Sequence, residues 1–296
     1  MNKKIYIALL FFIFNIQNVY AGGLSTNSVK LIDNNNVPYG IKQVENKIRV
    51  LNTSYLYDIA KGLIPGHSLV YIFGYNADVD NVREDMWEIG GTYVFPASPI
   101  QMKIVSSSID DTAAGTGART VDIHYLDNTY TQQVEAITLN GTTPVNTVAT
   151  NILRINNIHT MTAGTNGLPV GNISLQNIAG TITYSYIIAG LNASRQSIYT
   201  VPAGKTLYIT SWDWGTGNAA GNRFAEFLLR AKTTFDNELV SIFHIRSISI
   251  AQDGDGNHSL DVPIKILATS DIKISVISDT ATANAICYGG FEGWLE

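Results

Sequence analysis

Acidic side chains form the densest group of potential metal ligands in this sequence. The group consists of Asp78, Asp80, Glu84 and Asp85. Carboxylate oxygens are the hard ligands that Ca²⁺ prefers, and these four lie close enough along the chain to meet in one loop. The spacing makes this group a candidate calcium site. A solvated loop explains it better, because asparagines stand among the acidic residues.

A second acidic run, Asp253–Asn257, begins like the calcium loop of an EF-hand. His258 stands where that pattern requires glycine, and Ile264 stands where it requires the bidentate glutamate. The run is instead typical of a glycine-rich turn between two strands. No cofactor is therefore expected, and calcium is the only candidate ion.

Histidine and cysteine patterns give no sign of zinc or nucleophile chemistry. The histidines are His67, His124, His159, His244 and His258. No two of them have the spacing of zinc ligands. No Gly-x-Ser-x-Gly elbow or Walker lysine occurs either. The single cysteine, Cys287, lies in an apolar stretch without a cationic neighbour, which predicts a buried, unreactive thiol.

Aromatic residues offer a different kind of site, a platform for sugars. Trp212 and Trp214 are its best candidates, and the alternative for both is a place in the core. Glycoside hydrolysis would need two carboxylates across a cleft, and Glu84, Asp85 and Glu88 are the candidates. Spacing alone does not favour that reaction, and we expect a protein that is not an enzyme.

Composition and charge limit the partners of the chain. It has 296 residues, of which 45% are hydrophobic and only 15% are charged, so it can bury a large core. The formal net charge is -5 and lysines and arginines form no block, which argues against direct binding of nucleic acid. One cysteine excludes an intrachain disulfide, so stability must come from packing or assembly.

The N-terminus has the form of a secretory signal. Lys3 and Lys4 precede the apolar run 5–16, and Val19-Tyr20-Ala21 suits a signal peptidase. Residues 1–21 are therefore a signal-like segment; the alternative is an uncleaved segment that contacts a membrane. Residues 22–43 are polar and predict a linker.

The elements that would position these side chains are β-strands. Short segments with alternating apolar residues recur between turn signals, and no strand-helix alternation is present, so the fold class is all-β. The stretch Ile198–Trp212 predicts a hairpin around Pro202-Ala203-Gly204, and Asn140-Gly141 predicts another. We expect two tandem antiparallel β-sandwich or jelly-roll units, residues 44–179 and 180–296.

Several stretches of the sequence together carry a family resemblance. They are Gly66–Asn76, Glu84–Thr92, Ile104–Thr120, Leu139–Val145 and Tyr199–Lys205. In combination they resemble virion-associated proteins of aquatic bacteriophages, over roughly residues 60 to 295. The resemblance implies a structural role in the virus particle and carries no catalytic residues.

These observations lead to an expectation about function. We expect a capsid component of a bacteriophage, located in the virion, with copies of itself and other virion proteins as partners. Two β units after a hydrophobic segment also suit a double jelly-roll subunit over an internal membrane. The alternative is a virion spike or fibre, or a secreted or periplasmic domain, that binds glycans on a host surface.

Overall fold

The computed structural model describes residues 55–217, 224–279 and 285–296, together with the strand backbones at 30–32, 38–44 and 47–50. Residues 1–58 and residues 59–296 form separate compact units, each of which is described by itself. The signal-like segment 1–21 lies outside the described residues. Within the described part of the chain, no helix combines the length and apolar character needed to cross a membrane.

The first unit contains a small antiparallel sheet. Its strands are β1 (Lys30–Ile32), β2 (Pro38–Val44) and β3 (Lys47–Val50), in the order β1-β2-β3. Strands β1 and β2 thus fall largely within the stretch 22–43, for which the sequence predicts a linker. One short helix, α1 (Tyr55–Ala60), follows.

The second unit is built from antiparallel strands, and the predicted all-β class is confirmed. Its first nine strands are β4 (Ser68–Val79), β5 (Glu84–Asp85), β6 (Met102–Ser106), β7 (Ala118–Asp127), β8 (Gln132–Thr138), β9 (Val145–Asn146), β10 (Ile152–Ala163), β11 (Ile173–Asn177) and β12 (Thr183–Ile187). The others are β13 (Ile198–Thr200), β14 (Leu207–Gly217), β15 (Phe224–Thr233), β16 (Leu239–Gln252), β17 (Gly254–Ile266), β18 (Asp271–Ser278) and β19 (Ala285–Leu295).

Strands β6 to β12 form one sandwich, which we call the inserted sandwich. One of its sheets has the order β10-β7-β8, and the other has the order β12-β11-β6-β9. Val121, Ile123 and Tyr125 occupy alternate positions of β7 and point into the core between these sheets. Ile104 and Leu175 meet them from the opposite sheet. Alternating apolar residues thus bury one face of each sheet.

Strands β4, β5 and β13 to β19 form the other sandwich, which we call the host sandwich. One sheet has the order β13-β18-β15-β16, with β5 also paired to β18, and the other has the order β17-β14-β19-β4. Its core contains Phe227 and Ile274 from the first sheet, and Trp212 and Phe291 from the second. All four side chains are at least 99% buried.

The two sandwiches are nested in the sequence. Strand β4 pairs along its whole length with the last strand, β19, from Ser68↔Leu295 to Val79↔Ala285. The chain therefore starts the host sandwich, builds the inserted sandwich, and then returns. This arrangement differs from consecutive units at 44–179 and 180–296, because β4 of the first predicted unit completes a sheet of the second.

Turns predicted as hairpins connect strands of different sheets. Gly204 has the expected positive φ of 72°, but β13 pairs with β18, whereas β14 pairs with β17 and β19. The predicted hairpin at Ile198–Trp212 is therefore wrong, and the Pro-x-Gly turn carries the chain from one layer to the other. Asn140-Gly141 likewise leads from β8, which pairs with β7, to β9, which pairs with β6.

Candidate functional site

The predicted acidic group divides between a buried and an exposed part. Asp85 is buried, and its carboxylate accepts hydrogen bonds from Nζ of Lys273 at 2.7 Å, Oγ of Ser275 at 2.7 Å and the backbone N–H of Tyr93 at 2.8 Å. Asp78 is exposed on the surface. The oxygens of Asp85 thus serve the protein's own donors.

Glu84 is also engaged by the protein. Its carboxylate accepts hydrogen bonds from Nδ2 of Asn76 at 3.1 Å and from the backbone N–H groups of Asp80 and Gly91. Glu88 is the remaining candidate carboxylate for glycoside hydrolysis. It accepts a hydrogen bond from Nε of Arg195 at 2.8 Å. Calcium binding by Asp78, Asp80, Glu84 and Asp85 remains a prediction, and Glu84 and Asp85 have clear structural roles.

The two tryptophans of the predicted glycan platform are neighbours on β14. Trp212 is fully buried in the host core, whereas Trp214 is half-buried. Their ring centroids are 4.5 Å apart, with an angle of 45° between the planes. The ring of Trp214 lies over Gly256 of the paired strand β17, where a Cβ would come within 2.7 Å of it. Glycan binding stays a prediction, for which only Trp214 of this pair offers exposed surface.

Strand β16 presents an apolar surface that the sequence analysis did not identify. It is the edge strand of its sheet, and none of its 14 residues is buried. Ile245, Ile248 and Ile250 are 47%, 55% and 62% exposed. We call these three residues the isoleucine face. Exposed apolar side chains on a long edge strand are typical of an interaction surface.

The register of β16 shows why its isoleucines point outward. Ser249 is paired with Phe227 and Ser247 with Leu229, and both partners belong to the host core. Directly opposed residues of an antiparallel pair point to the same side of the sheet. The serines therefore face the core, and the isoleucines face solvent.

The isoleucine face continues onto neighbouring strands. Ile250 lies beside Phe224 of β15 and Ile277 of β18, and with Glu226 they line a shallow groove of about 350 Å³. Phe224 is itself 48% exposed. Glu226 forms an ion pair with Arg83 at this groove. The surface is thus apolar with charged groups at its border, as in many protein interfaces.

A buried ionic network lies between the two sandwiches. The carboxylate of Asp271 on β18 accepts hydrogen bonds from Nε and Nη2 of Arg154 on β10, at 2.7 and 3.2 Å. It also accepts a hydrogen bond from Nζ of Lys232 at 2.8 Å. Burial acts to raise the pKa of Asp271, but hydrogen bonds and charges from Arg154 and Lys232 outweigh it and lower the pKa. Asp271 is therefore an ionised structural group.

Cys287 matches the thiol predicted from sequence, since it is fully buried in the host core. Burial raises its pKa to about 11, against a smaller opposing effect of the hydroxyl of Thr216. A neutral thiol without exposed surface is a poor nucleophile.

Two histidines that are distant in sequence meet on the inserted sandwich. His124 of β7 and His159 of β10 have stacked rings, with centroids 4.7 Å apart and an interplanar angle of 30°. Burial, and then the charge of His159, lower the pKa of His124, against an opposing effect of Asp122. Strand pairing creates this contact, so no spacing along the chain could have indicated it.

Comparisons with known proteins give only distant likenesses. No family model matches the chain, and no curated protein matches it. The solved structure of infectious bursal disease virus strain Gt matches with 10% identity and a TM-score of 0.20, covering 82% of this chain and 77% of that one. Strain Gx gives 10% identity, a TM-score of 0.20 and coverages of 77% and 72%. The VP2 subviral particle of that virus matches with 10% identity and a TM-score of 0.18, covering 77% of this chain and 71% of that one.

Proposed function

We propose that this chain is a structural subunit of a bacteriophage particle, a capsid component that assembles with copies of itself and has no catalytic role. The observation that carries the proposal is the isoleucine face of β16, which exposes apolar side chains while serines face the core. The resemblance to virion-associated phage proteins supports the same conclusion.

The proposal explains a pattern that is unfavourable for an isolated subunit. Burying an isoleucine side chain is worth about 1.5–3 kcal/mol relative to exposure, so a partner that covers Ile245, Ile248 and Ile250 gains several kcal/mol. Strand β16 also has one edge with no paired strand among the described residues. A second copy can pair with that edge and cover the face, and symmetric repetition of one contact builds a shell.

Other parts of the proposal follow from the same role. Location in the virion, contact with other virion proteins, and membrane contact through residues 1–21 are expected of such a subunit. The absence of a clustered basic patch in the sequence fits a shell that does not bind nucleic acid directly.

The test is the assembly state of the full chain. Light scattering coupled to size-exclusion chromatography and negative-stain electron microscopy should show large, regular particles. Ile248→Lys with Ile250→Lys should abolish them and leave the far-ultraviolet circular dichroism spectrum unchanged. Val148→Lys is the matched control, since Val148 is 88% exposed on a loop of the inserted sandwich.

Two outcomes would count against the proposal. A wild-type chain that stays monomeric at high concentration would contradict self-assembly. A small closed oligomer that binds glycans, and loses that binding when Trp214 is replaced by alanine, would instead support the alternative of a spike or fibre protein.

A further inference from the structure

The outer face of the inserted sandwich brings together four side chains with metal-ligating atoms. Asp122 and His124 are two positions apart on β7, and Asn157 and His159 are two positions apart on β10, so each pair lies on one side of its strand. In the antiparallel register, Asp122 is opposite His159 and His124 is opposite Asn157. Opposed residues share one side of the sheet, so the four form a square patch. The buried neighbours Ile123 and Ile158 show that the other side faces the core.

The distances within this patch suit one small ion. Ligand atoms of Asp122, His124 and His159 all lie within 4.8 Å of one another. Around a tetrahedral zinc ion, ligands at about 2.0–2.1 Å are roughly 3.3 Å apart, so the ligand atoms need to approach one another by at most about 1.5 Å. All three side chains are half-buried, which leaves them room to rotate.

The patch also contains polar atoms that the protein itself does not satisfy. Within the described part of the chain, Nε2 of His124 and Oδ1 of Asn157 are buried without a hydrogen-bond partner. Buried polar atoms are nearly always paired, and each unpaired one costs about 1–3 kcal/mol. An ion bound between the imidazoles would satisfy His124, and the amide oxygen of Asn157 is available as a further ligand.

We propose that Asp122, His124 and His159 bind a divalent transition metal ion of the zinc type, with the fourth position taken by Asn157 or water. Two imidazole nitrogens and one carboxylate favour a borderline-soft ion such as Zn²⁺ over Ca²⁺, which prefers oxygen ligands alone. This site is distinct from the acidic group near Asp85, and it does not depend on the proposed role in a capsid.

An entry path for the ion is present. His159 and Asn157 line a cleft of about 330 Å³, which Tyr71 and Phe73 of β4 and the segment 193–196 border on the other side. The only cation in this lining is Arg195, and its guanidinium is already engaged with Glu88 and lies 3.9 Å from the ring centroid of Tyr75. The cleft therefore gives a hydrated ion access to His159 and Asn157, which lie beside the other two ligands.

The test is metal binding by the full chain, prepared without a histidine tag and stripped with a chelator. Calorimetric titration with Zn²⁺ should give one ion per chain, and Co²⁺ should give the visible d–d absorption of a low-symmetry site with nitrogen ligands. His124→Gln and His159→Gln should each weaken binding by at least about 10-fold. His258→Gln is the matched control, because His258 is exposed on β17.

Circular dichroism spectra of the variants establish that they are folded. Asp122→Asn keeps the shape of the side chain and should also weaken Zn²⁺ binding, so a folding defect of one histidine variant does not decide the result. Absence of stoichiometric binding would overturn the proposal. It would equally be overturned if His258→Gln reduced binding as much as His159→Gln, since that result indicates adventitious binding to surface histidines.

Discussion

Asp271 accepts hydrogen bonds from three side chains at the contact between the two sandwiches. Besides Arg154 and Lys232, it accepts a hydrogen bond from Oγ1 of Thr200 at 2.8 Å. Arg154 is 8% exposed and also donates to the carbonyl oxygens of Pro96 and Leu153. Both charges of the Arg154–Asp271 pair are thus removed from water, and each depends on the other.

Removing one charge of this pair should be strongly destabilising. We expect Asp271→Asn to lower the free energy of unfolding by about 3–5 kcal/mol, because the guanidinium of Arg154 remains buried without its counter-charge. Urea denaturation measures the loss. Asp78→Asn is the control, since Asp78 is exposed, and it should stay within about 0.5 kcal/mol of wild type. Equal stability of the two variants would contradict this account of Asp271.

The lowered pKa of Asp271 also predicts how stability depends on pH. In the unfolded chain this carboxyl titrates near its ordinary value of about 3.9, whereas in the folded protein its pKa is lower. Folding therefore disfavours the proton, and the stabilisation is complete above about pH 4 and is lost as the pH falls below it. Urea denaturation of wild type between pH 3 and 6 should show this loss. The Asp271→Asn variant should show a smaller dependence, and an identical slope would contradict the prediction.

Among the loops, the segment that precedes β7 is held by one buried carboxylate. Asp111 accepts hydrogen bonds from the backbone N–H groups of Ala118, Val170 and Gly171 at 2.8–2.9 Å. Gly117 lies so close to it that a Cβ would come within 2.0 Å of Oδ1 of Asp111. The glycine is required here for close approach, so that the loop can wrap around the carboxylate.

A methyl group at this position should disrupt the loop. We expect Gly117→Ala to cost about 2 kcal/mol or more, because backbone donors and the carboxylate must move apart. Gly254→Ala is the control, since Gly254 has open space around its Cβ position and no positive φ. Thermal unfolding of both variants measures the difference. A Gly117→Ala protein as stable as the control would show that the loop adapts without cost.

Local sequence patterns predict the strands well and their partners poorly. Ile272, Ile274 and Val276 alternate with other residues in the sequence, a pattern typical of one face of a strand, and all three are buried in the host core on β18. The Pro-x-Gly turn around Gly204 is predicted from the same kind of signal, but turn chemistry fixes only a reversal and not the sheet that the next strand joins. Partner choice depends on distant strands.

The candidate sites show the same limit. His124 and His159 become neighbours only through the pairing of β7 with β10. The alternation of serine and isoleucine in β16 is visible in the sequence, but the pairing with β15 decides which set faces the core. The acidic group is visible in the sequence because its members are close along the chain, but two of them, Glu84 and Asp85, have structural roles.

For residues 59–296 as a whole, nesting makes the host sandwich dependent on the inserted one. Strand β4 finds its partner β19 only at the end of the chain, so the sheet closes across the entire insertion. Contacts such as Arg154 with Asp271, and Oη of Tyr93 with the carbonyl of Tyr184, tie residues inside the inserted sandwich to the host side. We therefore expect the two sandwiches to unfold together.

Agreement between the unfolding midpoints that two spectroscopic probes report tests this cooperativity. Three of the four tryptophans lie on host strands β14 and β19, so tryptophan fluorescence reports mainly on the host, whereas far-ultraviolet circular dichroism reports on both sandwiches. In wild type, the urea midpoints from the two probes should agree, as two-state unfolding requires. Arg154→Met removes the link to Asp271 and should separate them. Separate midpoints already in wild type would show that the inserted sandwich is an independent folding unit, and that the buried ion pair does not couple it to the host.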